Sequence, residues 1–250
     1  VAILFIMASR VFGTHRPFIA QSVWEKTHLS TITTLIDPTS KNLHFDIGNY
    51  YFTARHYDLK EAARHFKIAI ESDSQFLEPH YQLGRIYFLQ GEFGEALIEI
   101  TEVLRIDPEF KKGYYMLGLI GGYTGDNIQA IYGFSEFIRR DSFNWAGYND
   151  LAWIYFRQGN FIKAREVTEA GLKQSPTNPW LHNLHGAILI NLKEPALAKI
   201  SLELADQESS LMRPKDWGRS YPGNNPSIYP QGLEEMRSVI KHNLSLLDTN

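Results

Sequence analysis

Leu83, Leu117 and Leu151 are each followed by a small residue, Gly84, Gly118 and Ala152, and one helical turn later by a ring at Tyr87 and Tyr155. Apolar residues three and four apart share one helix face, so this run predicts an amphipathic helix. Gly91, Gly125 and Gly159 lie seven residues after the small position, where the chain must turn. A second small residue follows at Ala96, Ala130 and Ala164, with a bulky one four later at Ile100 and Phe134. Asp107-Pro108 and Ser175-Pro176 then stop the second helix and start the next first helix. With Gly186 and Ala198, both small series return every 34 residues. The period predicts ten helices in five antiparallel pairs between residues 41 and 212, with Leu83, Ala96, Leu117, Ala130, Leu151 and Ala164 buried between them.

The repeats run 41–76, 77–110, 111–144, 145–178 and 179–212. In the first, Gly48 to Gly84 spans 36 residues, and the two extra residues belong in the turn around Arg55 to Asp58. The fifth is degenerate, with His185 in the Leu slot, Lys193 in the Gly slot and Pro195 near the start of its second helix. One helix pair cannot bury its own apolar face, so several must stack, and terminal repeats are expected to drift.

The Leu-small-ring pattern, the glycine seven residues on, the second small residue and the closing proline together resemble the tetratricopeptide repeat family. The resemblance implies an all-α fold, a right-handed α-solenoid of helix-turn-helix repeats, used in that family to hold partner proteins. The expected function is that of a non-enzymatic interaction scaffold or a subunit of a larger assembly. In the family the first helices line a concave groove. The corresponding positions here are Phe45, Asn49 and Phe52; Tyr81, Arg85 and Phe88; Tyr115, Leu119 and Tyr123; Asn149, Trp153 and Phe156; Trp180, Asn183 and Ile190. An asparagine both donates and accepts hydrogen bonds, so Asn149 and Asn183, 34 apart, are candidates for holding the backbone of an extended peptide. The alternative reading is that half of these rings pack between helices. The family's clamp for the terminal carboxylate of heat-shock chaperones lacks two of its cations here, since its positions read Phe45, Asn49, Gln82, Lys112 and Met116.

Both ends depart from the repeat. Val1 to Ala8 is wholly apolar and Gly13 closes a further apolar stretch. Eight residues are too few to span a bilayer, which needs about 20. As the chain begins at Val, this run is read as the remnant of a membrane anchor or signal segment, giving a membrane association through residues 1–13 and a linker to residue 40. The alternative is a degenerate extra helix pair over 1–38, since Asp37-Pro38 sits where a repeat would close. At the other end, residues 213–232 carry four Pro and three Gly and read as an ordered extended segment. Leu233, Met236, Ile240, Leu244 and Leu247 then predict a helix over 233–250 that caps the last repeat. An autoregulated alternative has this Pro-rich tail lying in the groove.

Composition narrows the choice of partner. A formal charge of −3, from 25 basic and 28 acidic residues, offers no basic excess for nucleic acid. The absence of cysteine removes disulfides, thiol catalysis and thiolate zinc sites. The Gly-rich run Gly118 to Gly125 lacks the Lys-Ser/Thr of a phosphate loop, although Gly121 and Gly122 interrupt a helix and suggest either a pocket or room for a neighbouring ring. His182 and His185 invite a metal reading, but His44, His80 and His182 share a repeat slot with Tyr114 and Tyr148, which favours packing. No cofactor is expected. A minor enzymatic alternative would use Asp216, Arg219 and Tyr221 of the tail.

Overall fold

Six of the ten helices of the repeat region begin at a residue that stands in for a missing backbone partner. Ser40, Asp58, Asp126, Asn144, Asn160 and Asn178 accept a hydrogen bond from the first turn of the helix that follows. The computed structural model describes residues 16–53, 55–220, 223 and 225–247. Among them the chain is all-α, in two compact units that meet in sequence at Pro108 and Glu109.

The amino-terminal unit holds α1 (Arg16–Thr27), α2 (Ser30–Ile36), α3 (Lys41–Phe52), α4 (Leu59–Ser72), α5 (Leu77–Gln90) and α6 (Phe93–Ile106). Of the two readings of this region, linker or degenerate extra helix pair, residues 16–36 follow the second: α1 and α2 form a helix pair that packs on α3, burying Ala20, Trp24 and Ile36 against Leu43 and Ile47. The pattern was hard to see because α2 is only seven residues long and its apolar positions alternate with four threonines and serines. The apolar run 1–13 lies outside the described residues. A second core joins Phe52, Ala62, Phe66, Leu83 and Ile86.

The carboxyl-terminal unit holds α7 (Lys111–Thr124), α8 (Asn127–Arg140), α9 (Trp145–Arg157), α10 (Phe161–Gln174), α11 (Pro179–Asn191) and α12 (Pro195–Leu211). Its cores are Ala130, Phe134, Leu151 and Ile154, then Ala152, Ala164, Leu184 and Ile188. In the four pairs that carry a glycine, the small first-helix residue faces a bulky second-helix one: a Cβ added to Gly118 would lie 2.6 Å from the Phe134 ring, and one on Gly84 in the other unit 2.9 Å from Ile100. Such contact explains the 34-residue pairing of small and large positions, because only a small residue lets the helices approach this closely. Leu83, Ala96, Ala130, Leu151 and Ala164 are buried as expected; Leu117 is only half-buried.

One left-handed residue closes each inter-helix turn of the repeats: Gly91 (φ 77°), Gly125 (φ 84°) and Gly159 (φ 73°), where glycine is free of Cβ strain, and Tyr57 (φ 44°) and Lys193 (φ 60°) in the two irregular repeats. Tyr57 lies inside the predicted two-residue insertion.

Residues 213–232, read as extended, fold locally instead. Proline is welcome in the first turn of a helix, where its missing N–H has no partner to lose. Pro214 therefore opens α13 (Pro214–Gly218), Pro226 opens a 3₁₀ turn (Pro226–Ile228), and Pro230 lies in the first turn of α14 (Tyr229–Ser245), which starts four residues before the expected boundary. Arg237 of α14 donates to the carbonyls of Ser209, Ser210 and Met212, satisfying the open end of α12. Leu233 and Ile240 complete the cap.

Candidate functional site

The first helices present the candidate groove positions, and the two units use them differently. In the amino-terminal unit these side chains bind one another. Gln82 donates to the side-chain carbonyl of Asn49 at 3.2 Å and accepts from Arg85 at 2.7 Å. The Arg85 guanidinium lies 4.8 Å from the Phe52 ring and 5.9 Å from Tyr81. Burial lowers the pKa of Arg85 and raises that of the Tyr81 phenol. Phe45 packs against Phe66 and Phe76, and Phe88 is buried against Phe93. These positions form a knit surface of rings and one guanidinium.

The histidine slot of the repeats is structural. His44 bonds the Pro38 carbonyl, His80 that of Ser74, Tyr148 that of Ser142 and His182 that of Pro176, in every case six residues back, tying the preceding loop to the first helix. Charge differs between slots. Arg64 donates to His65 Nε2, so His65 Nδ1–H donates to His44 Nδ1 at 2.8 Å and His44 Nε2–H donates to Pro38; both imidazoles are neutral. Burial, with the Arg64 charge, holds His65 down to about 3. At His80 burial pulls the same way, but the bond and charge of Glu99, 2.6 Å from Nδ1, outweigh it and raise the pKa. Among the described residues no three His, Asp or Glu side chains converge as metal ligands.

In the carboxyl-terminal unit three of the groove positions, Leu119, Tyr123 and Trp153, border open space. A cavity of about 370 Å³ is lined by Leu119, Gly122 and Tyr123 of α7, Phe134 of α8, and Asp150, Trp153, Ile154 and Arg157 of α9. Gly122 opens it: a Cβ there would come within 3.3 Å of Ile154, while Gly121 lets the backbone of α8 approach. Trp153 is 46% and Tyr123 69% exposed at its rim. Trp153 stacks on Phe156, which meets Phe161 edge-on. Arg157 donates to the Gly122 carbonyl at 3.2 Å.

Asp150, half-buried in this wall, escaped the sequence reading. Its Oδ2 accepts from the Tyr115 hydroxyl at 2.7 Å and its Oδ1 from Asn149 Nδ2 at 3.1 Å. Burial raises its pKa against the pull of those two bonds. Spacing alone places it on the groove, since Asp150 lies 34 residues after Met116.

At the last repeat the groove positions are covered. Trp180 stacks on Trp145 at 4.9 Å between ring centroids. Asn183 Oδ1 accepts from Asn243 Nδ2 of α14 at 2.9 Å. The Pro-rich stretch packs on α14 itself, with the Tyr229 ring against Gly218 and the Trp217 ring against Gly232. Asn149 and Asn183 thus occupy equivalent slots with different partners.

With this geometry in view, the comparisons with known proteins agree on the repeat. A family profile described as Tetratricopeptide repeat matches residues 77–110 and 145–178. The chain is similar in fold to the solved structure of MamA from Desulfovibrio magneticus RS-1 (18% identity, TM-score 0.63, covering 69% of this chain and 97% of that one). It is likewise similar to YrrB, described as a TPR protein with an unusual peptide-binding site (16% identity, TM-score 0.59, 73% and 93% covered). PilF of Pseudomonas aeruginosa aligns over nearly the whole length (16% identity, TM-score 0.60, 95% and 96% covered). At these identities the likeness concerns the fold. A comparison with curated proteins finds no match.

Proposed function

We propose, from the premise that this chain is a tetratricopeptide-repeat protein, that it is a non-enzymatic scaffold whose carboxyl-terminal unit holds an extended polypeptide on its first helices. The observation that carries the reading is the cavity between α7 and α9, rimmed by the exposed Trp153 and Tyr123 rings. Exposed rings beside a preformed apolar cavity are the usual anchors for a partner's side chains. Asn149 supports the reading from the adjacent helix position, where an amide beside the rings can meet a peptide group. The amino-terminal unit contributes stability and a ring-rich surface, because its groove side chains already satisfy one another. No step of chemistry is assigned to the chain. The Asp216 carboxylate, the centre of the enzymatic alternative, is held by Arg213 and the backbone at the start of α13.

The test is selection of linear peptides from a random display library on the full chain. The reading expects enriched peptides whose binding is lost in Trp153→Ala while helicity is retained. Peptides that ignore Trp153 and need exposed second-helix residues such as Ile128 or Ile162 would contradict it. A membrane contact through the apolar run 1–13 is a further part of the proposal. Flotation with lipid vesicles should follow that run, and a chain lacking it that floats equally well would remove this part. Among the described residues no helix is long and apolar enough to cross a membrane.

A further inference from the structure

Asp150 is a carboxylate in an unusual position for a surface acid. It lines a cavity whose other walls are Leu119, Gly122, Tyr123, Phe134, Trp153, Ile154 and Arg157, and among the described residues no cation is in ion-pair contact with it. An ionised carboxylate offers about four lone-pair sites. Tyr115 and Asn149 each take one, so both oxygens retain capacity, and the two donors fix the carboxylate in place. Arg157, the cation at the rim, is two turns further along α9 and bonds the Gly122 carbonyl instead.

We infer that this cavity receives the cationic side chain of a lysine or arginine from an extended protein segment, with its charged head on Asp150 and its aliphatic stem against Leu119 and the Trp153 ring. Charge complementarity selects this occupant over an apolar one. A half-buried carboxylate without a counter-ion is costly, and an incoming cation relieves the cost while forming charge-assisted hydrogen bonds. The electron-rich faces of Trp153 and Tyr123 attract the same charge, and a long methylene stem suits the apolar walls. The inference rests on the groove reading above and specifies its substrate class: segments with a basic anchor residue.

The experiment titrates short alanine-based peptides, acetylated and amidated, into the full chain. A central lysine is compared with norleucine, which keeps the stem and lacks the charge, and with glutamate. Binding is followed by the indole N–H signal of Trp153, assigned with Trp153→Phe. The lysine peptide should shift that signal and bind at least about tenfold more tightly than norleucine, with glutamate weakest. Asp150→Asn, which keeps an acceptor for Tyr115, should bring lysine and norleucine to parity. Norleucine binding as tightly as lysine, a lysine preference that survives Asp150→Asn, or no shift of Trp153 with any peptide would overturn the inference. The lysine-to-norleucine ratio in the unaltered chain needs no variant, so it stands even if Asp150→Asn folds poorly. Display-selected peptides that require Trp153 but are indifferent to Asp150 would sink this inference and leave the groove reading intact.

Discussion

Asn149 and Asn183 sit 34 residues apart in equivalent slots of α9 and α11, yet one donates to Asp150, which lines an open cavity, and the other is held by Asn243 of the capping helix. Repetition gives each pair the same face; the neighbour above decides whether that face stays available. Where α14 follows, it uses the asparagine as a docking point, as a solenoid end requires cover for its last apolar face. Where another repeat follows, its side chains decide: Gln82 takes up Asn49, whereas beside Trp153 a cavity stays open. The slot alone therefore does not define a binding residue.

Loosening the cap should give the largest effect on this contrast. Ile240 is fully buried, and Ile240→Ala is expected to cost about 2–5 kcal/mol in urea unfolding. A loss well below this would mean that α14 covers the last repeat only weakly.

The rings should divide in the same way. Trp180, stacked on Trp145, ought to cost about 1–3 kcal/mol when changed to alanine. Trp153→Ala at the exposed rim should stay within about 0.5–1 kcal/mol while removing peptide binding. Equal stability losses in thermal melts would erase the distinction between covered and open slots.

Acidity sharpens the contrast from the open side. Burial raises the folded pKa of Asp150 above its ordinary 3.8, so the folded state binds more protons in that range. Its ionisation penalty appears as pH rises through the carboxylate range, and stability of the unaltered chain relative to Asp150→Asn should fall over that window. His65, in the amino-terminal unit, provides the opposite sign. With its folded pKa near 3 against an ordinary 6.5, it opposes folding increasingly as pH falls from about 6.5 towards 3. Urea melts of the chain and its Asp150→Asn variant across pH should separate the two slopes; a difference that does not vary with pH would refute the Asp150 assignment.

Two small effects complete the series near the covered end. Asn243→Ala should cost about 0.5–1.5 kcal/mol, the range of one hydrogen bond, and leave the rim of the Trp153 cavity unchanged. Lys193→Gly should stabilise by about 0.5–1 kcal/mol, since Lys193 holds the left-handed φ that glycine adopts in the preceding repeats. Destabilisation there would show that the lysine side chain contributes more than its backbone costs.

Much of the fold was legible because close packing leaves a mark on sequence. A glycine on one helix requires a large partner on the next, so the Gly118 and Phe134 pairing is written into the period. The pair α1 and α2 left a fainter mark, as its short second helix buries Thr33 alongside Ile36 and alternates polar with apolar residues. The tail misled by composition, since a proline that forbids a helix interior is acceptable in its first turn. The candidate site was legible only in part. Gly122 and Trp153 could be placed on the groove from spacing, but the occupation of Asn49 by Gln82 and of Asn183 by Asn243 depends on contacts 33 and 60 residues away. Asp150 was overlooked because an acid on a first helix ordinarily faces water, and only the surrounding rings make it unusual.

The most direct test of the central claim is photo-cross-linking in the native host. A cross-linking residue is placed singly at Trp153, on the rim of the α7 to α9 cavity, and at Ile162, exposed on the second helix of the same repeat. The account predicts a discrete protein adduct from position 153 that disappears on competition with a display-selected peptide, and none from position 162. Adducts from position 162 alone would place the binding surface on the second helices and contradict it.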